Sequence, residues 1–410
     1  MGNNFVKPRG TMDLIGDSAL RYDSLVRMLD ECARLYGASM IMVPTYEESR
    51  LYKRGVGEST DIVTKETFDI VSKGGHEYTL RPEFTAGITR AVIENKEYAL
   101  PHMPLKYYYH GSIFRYERPQ AGRFREPHQW GVEFFDQKLD LGTIIEVLSL
   151  LVFSLKKIGI KNPVLKINSL GSNESRIKYK EALVNYFSQY IDSMCEDCQS
   201  RLKMNPLRIL DCKVSVCRER VKDAPIISDY LIEEDQKEFE EVKKMLDELQ
   251  IEYVVDDRLV RGLDYYTGIV FEVYEKDHQN IGAIGGGGIY TGLCKSLGGP
   301  DLQGIGFSFG LDRLLLSLDQ SDIVEENDVM LYVSDDLLDM LKLANQLRQN
   351  GISVIIPHIG KSLKSAMKMA DSKRVKRFIF KKDSQYIIKD MIKNEQIECK
   401  FDSIIDLLGI

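Results

Sequence analysis

Two aromatic, strand-forming segments with a turn-forming cluster between them constrain the fold of this chain more than any other feature. Residues 105–118 (LKYYYHGSIFRYER) and residues 125–136 (REPHQWGVEFFD) are rich in side chains that favour β-strands. The intervening residues 119–122 (PQAG) include the proline and glycine that are typical of turns. The pattern predicts an antiparallel hairpin with a long loop.

Side chains along a strand point alternately to opposite faces, so the hairpin predicts which polar residues lie together. Arg115 and Glu117 share one face of the first strand, and Gln129, Gly131 and Glu133 share one face of the return strand. From these residues alone, Arg115 and Glu117 form either part of a binding site or a cross-strand ion pair on a solvated face.

Three further segments extend the predicted sheet. Residues 267–274 and 304–309 predict strands, and residues 311–318 predict a buried helix. We therefore expect an α+β fold, in which residues 1–170 and 251–325 form a mostly antiparallel sheet with helices.

The remaining residues predict two additional parts. The charged run 233–248 has helical spacing and few β-formers, which predicts a helical insertion over residues 171–250. Strand and helix patterns alternate over residues 327–410, which predicts a small α/β domain. Within that domain, residues 361–382 contain nine lysines or arginines and one acid, Asp371, so this segment is the candidate surface for a polyanion.

The composition predicts a cytoplasmic protein that does not span a membrane. The longest strongly apolar stretch, residues 147–155, is far shorter than the roughly 18 residues that a membrane helix needs. Residues 1–17 contain charges and no apolar run, which is unlike a secretory signal. The net charge of −7 excludes a protein coated in basic residues, although it allows local basic patches.

Seven cysteines in 410 residues are too sparse for a disulfide framework. Four of them have a spacing that suits a structural tetrahedral zinc site: Cys195, Cys198, Cys212 and Cys217. The alternative is that these four are free thiols of a reducing compartment.

Nine segments spread over nearly the whole chain resemble histidine–tRNA ligases, a family of class II aminoacyl-tRNA synthetases. They are KPRGTMDL (7–14), GESTDIV (57–63), RPEFTA (81–86), FRYERPQAGRFREPHQWGVE (114–133), NPLRILDCK (205–213), LVRGLDYYTG (259–268), GGGGIYTGL (285–293), GFSFGLDRL (306–314) and KSLKSAMKMAD (361–371). The arginine-containing hairpin recurs across class II synthetases, whereas LVRGLDYYTG is specific to the histidine branch and its close relatives.

The resemblance implies an enzyme that activates L-histidine with ATP, forms histidyl-adenylate and loads histidine onto tRNA(His). It implies that residues 1–170 and 251–325 are the catalytic domain and that residues 327–410 bind the anticodon region. Magnesium is expected with the ATP. A homodimer is expected, paired through residues 36–47 (YGASMIMVPTYE).

The reaction joins two anions at the α-phosphate, so the site needs fixed positive charge. Arginines suit this role because a guanidinium group binds phosphate oxygens bidentately and keeps its charge. The resemblance implies that Arg115 and Arg261 approach the α-phosphate from two sides, while Arg313 lies near the adenine and the outer phosphates. It assigns Glu117 and Arg123 to the ATP site as well.

Histidine recognition requires partners for both imidazole nitrogens. The resemblance assigns Glu133, Tyr265 and Tyr266 to the imidazole. The residues assigned to the amino and carboxylate groups of the amino acid are Glu83, Thr85 and Gln129. Because Tyr265 and Tyr266 are adjacent, a strand would point them to opposite faces and leave one of them in the core.

The hairpin loop is expected to face the acceptor end of the tRNA through Arg118 and Gln120. The terminal domain is expected to contact RNA through Lys361 and Lys364, although a basic helix face is more often simply solvated. The run at 285–288 lacks the spacing of a nucleotide P-loop, so we expect close backbone approach to the substrate there.

Four positions depart from the family pattern and are expected near the substrate pocket: Phe84, Pro127, Ile289 and Thr291. They leave open whether the adenine contact is kept. The alternative functions are the regulatory subunit of ATP phosphoribosyltransferase, which shares the catalytic fold, and an RNA-binding protein with an inactive site.

Overall fold

The computed structural model describes residues 5–57, 60–99, 101, 103–318, 327–332 and 337–408. Its packing divides the chain into two compact units, Met1–Ile323 and Val324–Ile410. None of the described helices is both long enough and apolar enough to cross a membrane.

The first unit combines eleven strands and eleven α-helices within the described residues. The strands are β1 (Ser39–Met40), β2 (Tyr46–Glu48), β3 (Asp69–Val71), β4 (Glu77–Leu80), β5 (Leu105–Ser112), β6 (His128–Asp136), β7 (Pro163–Ser169), β8 (Val254–Val255), β9 (Thr267–Glu275), β10 (Gly285–Tyr290) and β11 (Gln303–Gly310). The helices are α1 (Asp17–Leu35), α2 (Ser49–Val56), α3 (Asp61–Lys65), α4 (Thr85–Glu94), α5 (Leu141–Lys157), α6 (Asn173–Phe187), α7 (Glu196–Met204), α8 (Ser215–Lys222), α9 (Glu233–Glu248), α10 (Leu293–Ser296) and α11 (Leu311–Ser317).

The main sheet has eight strands in the order β1-β5-β6-β11-β10-β9-β7-β8. Its six central strands pair antiparallel, whereas the short edge strands β1 and β8 pair parallel to β5 and β7. A second, three-stranded sheet has the order β2-β4-β3. The predicted α+β fold with a mostly antiparallel sheet is confirmed.

The side chains of β6 alternate between the apolar core on one face of the sheet and the opposite face. Trp130, Val132 and Phe134 are fully buried in the apolar core that α1 and α5 form against one face of the sheet. Trp130 donates its indole N–H to Asp30 Oδ1 at 2.8 Å, which satisfies the polar atom of this buried ring. Glu133 lies between two of these core residues in sequence, so its side chain points to the opposite face.

The predicted hairpin exists, but its strands are shorter than expected. Strand pairing runs from Leu105 opposite Phe135 to Ser112 opposite His128. Beyond Ser112 the backbone N–H groups of residues 113 and 115 still donate to the carbonyl oxygens of residues 127 and 125 in the return segment, whereas those of residues 114 and 116 donate to the carbonyl oxygens of residues 81 and 66. Arg115 and Glu117 nevertheless lie in an irregular segment and not in a regular strand. The backbone N–H of Glu117 donates to the carbonyl oxygen of Arg115 at 2.8 Å, which interrupts the extended chain at this point.

The helical insertion leaves the main sheet after β7 and returns at β8, which pairs with β7. The four α-helices α6 to α9 occupy the intervening residues. Phe239, Val242 and Leu246 of α9 are buried against the core of the main sheet. The insertion is thus packed within the first unit.

In the part of the second unit that the structure describes, a five-stranded sheet is combined with three α-helices. Its elements are β12 (Asn327–Tyr332), α12 (Leu337–Gln349), β13 (Val354–Ile355), α13 (Leu363–Ser372), β14 (Val375–Lys382), β15 (Gln385–Asp390), β16 (Gln396–Cys399) and α14 (Ile404–Leu407). The strand order is β13-β12-β14-β15-β16. The predicted alternation holds as far as β14, after which β15 and β16 extend the sheet antiparallel. The strand-like run VMLYV (329–333) begins this alternation, and its last residue, Val333, lies outside the described residues.

Candidate active site

A cavity of ≈ 290 Å³ opens on the face of the main sheet opposite the α1 and α5 core. It brings together all the residues that the sequence predicts for the amino acid and ATP: Glu83, Thr85, Arg115, Glu117, Arg123, Gln129, Glu133, Arg261, Tyr265, Tyr266 and Arg313. These residues are spread over more than 200 positions of the chain, so only the tertiary fold unites them.

Glu133 is the buried acid of this cavity, and three hydroxyl groups donate to its carboxylate. Thr85 Oγ1 and the hydroxyl of Tyr109 donate to Oε1 at 2.7 and 3.2 Å, and the hydroxyl of Tyr290 donates to Oε2 at 2.6 Å. Burial raises the pKa of Glu133 to about 7, although the hydroxyl groups of Tyr290 and Thr85 oppose the shift. The carboxyl group is therefore poised to change charge near neutral pH.

A glycine opposite Glu133 makes room for its side chain. Gly306 of β11 is the register partner of Glu133. A Cβ atom at Gly306 would lie 2.1 Å from Glu133 Oε2 and 2.3 Å from the carbonyl oxygen of Val132. The glycine in the GFSFG segment is thus required by close approach across the sheet.

Glu83 links the cavity to helix α4. Its two carboxylate oxygens accept the backbone N–H groups of Thr85 and Ala86 at 2.7 and 3.0 Å, so Glu83 satisfies free donors of the first helical turn. Burial raises the pKa of Glu83, which its hydrogen bonds and the charge of Arg115 oppose. The structure thus gives Glu83 a capping role that the sequence reasoning did not foresee.

Tyr265 and Tyr266 both line the cavity, with ring centroids 4.7 Å apart. The expectation that they point to opposite faces is wrong, because both lie in the turn that precedes β9 and not in the strand. A turn does not impose the alternation of a strand, so neighbouring rings can face the same cavity.

Arg261 is held beside Glu272. Its Nη1 donates to Glu272 Oε1 at 2.5 Å, and the hydroxyl of Tyr274 donates to the second carboxylate oxygen. Burial would lower the pKa of Arg261, but the charge of Glu272 raises it overall. Its Nε is buried and has no hydrogen-bond partner among the described residues. Gly286 leaves space for this side chain, since a Cβ atom there would lie 2.7 Å from Arg261 Nη1.

Arg115 and Arg313 are anchored by backbone carbonyl groups. Arg115 Nε donates to the carbonyl oxygen of residue 82 at 2.9 Å. Arg313 Nε donates to the carbonyl oxygen of residue 122 at 3.1 Å, and burial lowers the pKa of Arg313, as does the charge of Arg123. Glu117 lies 3.5 Å from Arg123 and 4.0 Å from Arg115. The cavity therefore holds a set of fixed cations that suits a polyphosphate.

Three side chains that hold predicted site residues by hydrogen bonds were not themselves predicted from the sequence: Tyr109, Tyr290 and Glu272. A signal for Tyr109 was present, because Tyr107 pairs with Glu133 in the hairpin and Tyr109 follows on the same face. The contact of Tyr290 with Glu133 depends on the pairing of β10 with β11 and of β11 with β6. No local pattern reveals that pairing.

The four departures from the family pattern fall in two places. Phe84 and Pro127 line the cavity, as expected. Phe84 has φ −98°, so its backbone does not need glycine, and its ring lies 4.2 Å from the guanidinium carbon of Arg81. Ile289 and Thr291 line a second cavity, which shares Tyr265 with the first one. The second cavity has a volume of ≈ 650 Å³, and the register of β10 with β9 shifts between residues 288 and 289.

The residues expected to contact tRNA lie outside the cavity. Arg118 and Gln120 are exposed on the hairpin loop. In the second unit, Lys361 and Lys364 are exposed at the start of α13. Two other cations of this basic segment are paired internally, since Lys376 lies 3.2 Å from Asp328 and Arg377 lies 3.0 Å from Asp390.

The four clustered cysteines come together in the insertion, away from the cavity. The Sγ atoms of Cys195, Cys198, Cys212 and Cys217 all lie within 4.8 Å of one another. Among the described residues, this is the one group of histidines, cysteines and acids that meets the geometry of a metal site.

Comparison with known proteins gives a consistent result. The family profile of histidyl-tRNA synthetase matches residues 10–314. The histidine–tRNA ligase of Caldanaerobacter subterraneus subsp. tengcongensis is 41% identical over 408 residues, which cover 97% of each chain. The crystal structure of apo histidyl-tRNA synthetase from S. aureus superposes with a TM-score of 0.81 at 33% identity, covering 99% of this chain and 100% of that one. An ATP phosphoribosyltransferase regulatory subunit/histidyl-tRNA synthetase from Bacillus halodurans has a TM-score of 0.68 at 20% identity, covering 93% of this chain and 100% of that one, which shows a shared fold alone.

Proposed function

This chain belongs to the histidyl-tRNA synthetase family, and from that premise we propose that it activates L-histidine with ATP and transfers the histidine to the 3′ end of tRNA(His). The observation that carries the proposal is that four guanidinium groups and the buried carboxyl group of Glu133 line one cavity. Cations suit the triphosphate, and the carboxyl group suits an imidazole.

In the first step, an oxygen of the histidine carboxylate attacks the α-phosphate, and pyrophosphate leaves with the electrons of the broken P–O bond. Arg115 and Arg261 stabilise the charge that develops at the α-phosphate, and Arg313 binds near the adenine and the outer phosphates. Backbone carbonyl groups and Glu272 hold these side chains before substrate arrives, which supports the assignment because preorganised charge lowers the barrier most. In the second step, the terminal ribose of the tRNA attacks the adenylate carbonyl and AMP leaves.

Histidine selection rests on Glu133 with Tyr265 and Tyr266. The ionised carboxylate of Glu133 accepts an imidazole N–H, and the phenols limit the orientation of the ring. Glu83, Thr85 and Gln129 serve the amino and carboxylate groups of the amino acid. A site whose polar groups each need a partner rejects side chains that lack one, because unpaired buried groups are costly.

Magnesium accompanies the ATP and is bound mainly by phosphate oxygens and water. The cavity offers Glu117 for the remaining contact, because its ion pairs of 3.5 and 4.0 Å are loose. Glu272 is less suitable, since Arg261 and Tyr274 already occupy its two oxygens. The ion supplies positive charge at the outer phosphates when it is bound.

The tRNA contacts are proposed on Arg118 and Gln120 for the acceptor end, and on Lys361 and Lys364 for the anticodon region. Exposure of all four side chains supports this assignment. Lys364→Glu is expected to raise KM for tRNA and to leave ATP–pyrophosphate exchange unchanged. Lys342→Glu, an exposed lysine of α12 in the same unit, is the matched control. Equal effects of the two substitutions would contradict a specific RNA contact.

We also propose a homodimer that pairs through residues 36–47. The segment exposes Met42 to 83% and Met40 to 45%, which is unusual for apolar side chains next to a sheet edge. Sedimentation of the full chain at micromolar concentration is expected to show a dimer, and a monomer would refute this part of the proposal.

ATP–pyrophosphate exchange with each amino acid in turn tests the activity itself. Exchange that depends on histidine alone, followed by charging of tRNA, is the expected result. A regulatory subunit or an RNA-binding protein would bind histidine or RNA without any exchange, and that outcome would replace the enzyme assignment.

A further inference from the structure

The four cysteines of the insertion have the arrangement of a metal site. A zinc ion with four thiolate ligands at about 2.3 Å places the sulfur atoms about 3.8 Å apart, which is the edge of the tetrahedron. The Sγ atoms of Cys195 and Cys212 are 3.8 Å apart, and all four lie within 4.8 Å of one another. Disulfide bonds would require sulfur atoms at about 2.05 Å, so the cysteines are not paired covalently.

The surroundings of the cluster also suit a thiolate-bound ion. The backbone N–H of Cys195 donates to Cys217 Sγ at 3.3 Å, an interaction that stabilises negative charge on sulfur. Cys198 and Cys217 are fully buried, and Cys212 is 6% exposed. Hydrogen bonds to the ligand atoms and a buried setting are typical of structural metal centres.

The four ligands come from separate short elements that meet in the apolar core of the insertion, where Cys198, Cys212 and Cys217 are buried. Cys195 is the N-cap residue of α7, Cys198 lies in its first turn, Cys212 follows a 3-10 turn, and Cys217 belongs to α8. Helices α7 and α8 have nine and eight residues, which is too short for stability in isolation. One ion would join all of these elements.

The same segment contacts the catalytic part of the unit. Arg201 and Arg208 both pair with Asp61 Oδ2, at 2.5 and 2.8 Å. Asn205 Nδ2 donates to Asp264 Oδ1 at 2.8 Å. Asp264 directly precedes Tyr265 and Tyr266 of the cavity, and Asp61 precedes the cavity residue Ile62.

We propose that Cys195, Cys198, Cys212 and Cys217 bind one Zn²⁺, and that this ion positions Asn205 against Asp264 at the base of the Tyr265–Tyr266 turn. The ion takes no part in the chemistry of the cavity. Its effect on activity is indirect, because it fixes α7 and thereby the turn that bears two of the proposed histidine contacts. The positioning role of the ion rests on the proposed function, whereas metal binding does not.

Metal content of the full chain tests the site independently of activity. Plasma mass spectrometry of protein purified under reducing conditions is expected to find one zinc per chain. Replacement by Co²⁺ should give the absorption spectrum of tetrahedral tetrathiolate coordination. Cys198→Ser is expected to lose the metal, and Cys294→Ser, a buried cysteine outside the cluster, is expected to keep it. Metal-free wild-type protein that takes up neither zinc nor cobalt on reconstitution would overturn the proposal.

Asn205→Ala tests the positioning role even if the cysteine variant does not fold. Loss of one hydrogen bond of about 1 kcal/mol is expected to raise KM for histidine about fivefold, with kcat and zinc content unchanged. The same rise should follow removal of zinc from the wild type by a chelator and should reverse when zinc is returned. A normal KM in the zinc-free protein would refute the positioning role and leave metal binding to be judged by stoichiometry alone.

Discussion

Glu133→Gln is expected to make the protein more stable and to abolish histidine activation. The buried carboxyl group of Glu133 has a pKa raised to about 7 by burial, so at pH 8.5 the folded state holds a desolvated negative charge. Glutamine has nearly the same shape and no charge. The hydroxyl groups of Thr85, Tyr109 and Tyr290 can still bond to it, since a hydroxyl can rotate to accept as well as donate.

The size of the effect follows from the shift in pKa. An increase from 4.5 to about 7 lowers stability by about 3 kcal/mol once the group is fully ionised, at 1.36 kcal/mol for each pH unit. Because the folded pKa is raised, the stabilising protonated form is fully present below about pH 4.5 and is lost as the pH rises through about 7. Between pH 6 and pH 8.5 the wild type should lose about 1.4 kcal/mol through this group, and the glutamine variant should not.

Urea unfolding of both proteins at pH 6 and pH 8.5 measures this difference, and other titrating groups largely cancel because the two chains share them. ATP–pyrophosphate exchange with histidine measures the functional loss in the same samples. A gap in unfolding free energy that stays constant with pH would refute the reasoning, and so would histidine activation by the variant at the wild-type rate. Tyr290→Phe is a second probe: it removes a hydrogen bond that lowers the pKa of Glu133, so the midpoint of the pH dependence should move upward.

Two further predictions concern the walls of the cavity. Arg261→Lys should lower the activation rate about 100-fold or more, because it replaces the rigid guanidinium fork by a single ammonium group. The free energy of unfolding should change by only about 1 kcal/mol, since lysine keeps a charge beside Glu272. Pre-steady-state adenylate formation measures the activation rate, and an unchanged rate would exclude Arg261 from the phosphate site. Gly306→Ala should weaken histidine binding by at least tenfold, because its Cβ would lie 2.1 Å from Glu133 Oε2. Calorimetric titration with histidine measures the affinity. Gly292→Ala is the control, since a Cβ atom at that position meets no atom within 4 Å.

The hairpin shows how far local sequence patterns reach. Its aromatic composition and its turn residues predicted an antiparallel pair that the structure contains. The prediction that Arg115 and Glu117 lie on a regular strand was wrong, because the backbone N–H of Glu117 donates to the carbonyl oxygen of Arg115 and interrupts the extended chain. The prediction that Tyr265 and Tyr266 point to opposite faces was wrong for a similar reason, since a turn replaces the strand whose alternation was assumed. A strand-forming composition does not show where a turn interrupts the extended chain.

The sequence by itself determined which reactive side chains are present and where they stand along the chain, namely the arginines, acids and tyrosines and the spacing of the cysteines. It also determined the alternation that turns Glu133 away from the core. Tertiary structure alone decided which of these groups meet and in what charge state. The pairing of β6 with β11 and of β11 with β10 brings Tyr290 to Glu133, and burial then raises the pKa of that carboxyl group. The physical reason is that strand pairing and desolvation depend on neighbours far away in the chain, whereas residue type and spacing are local.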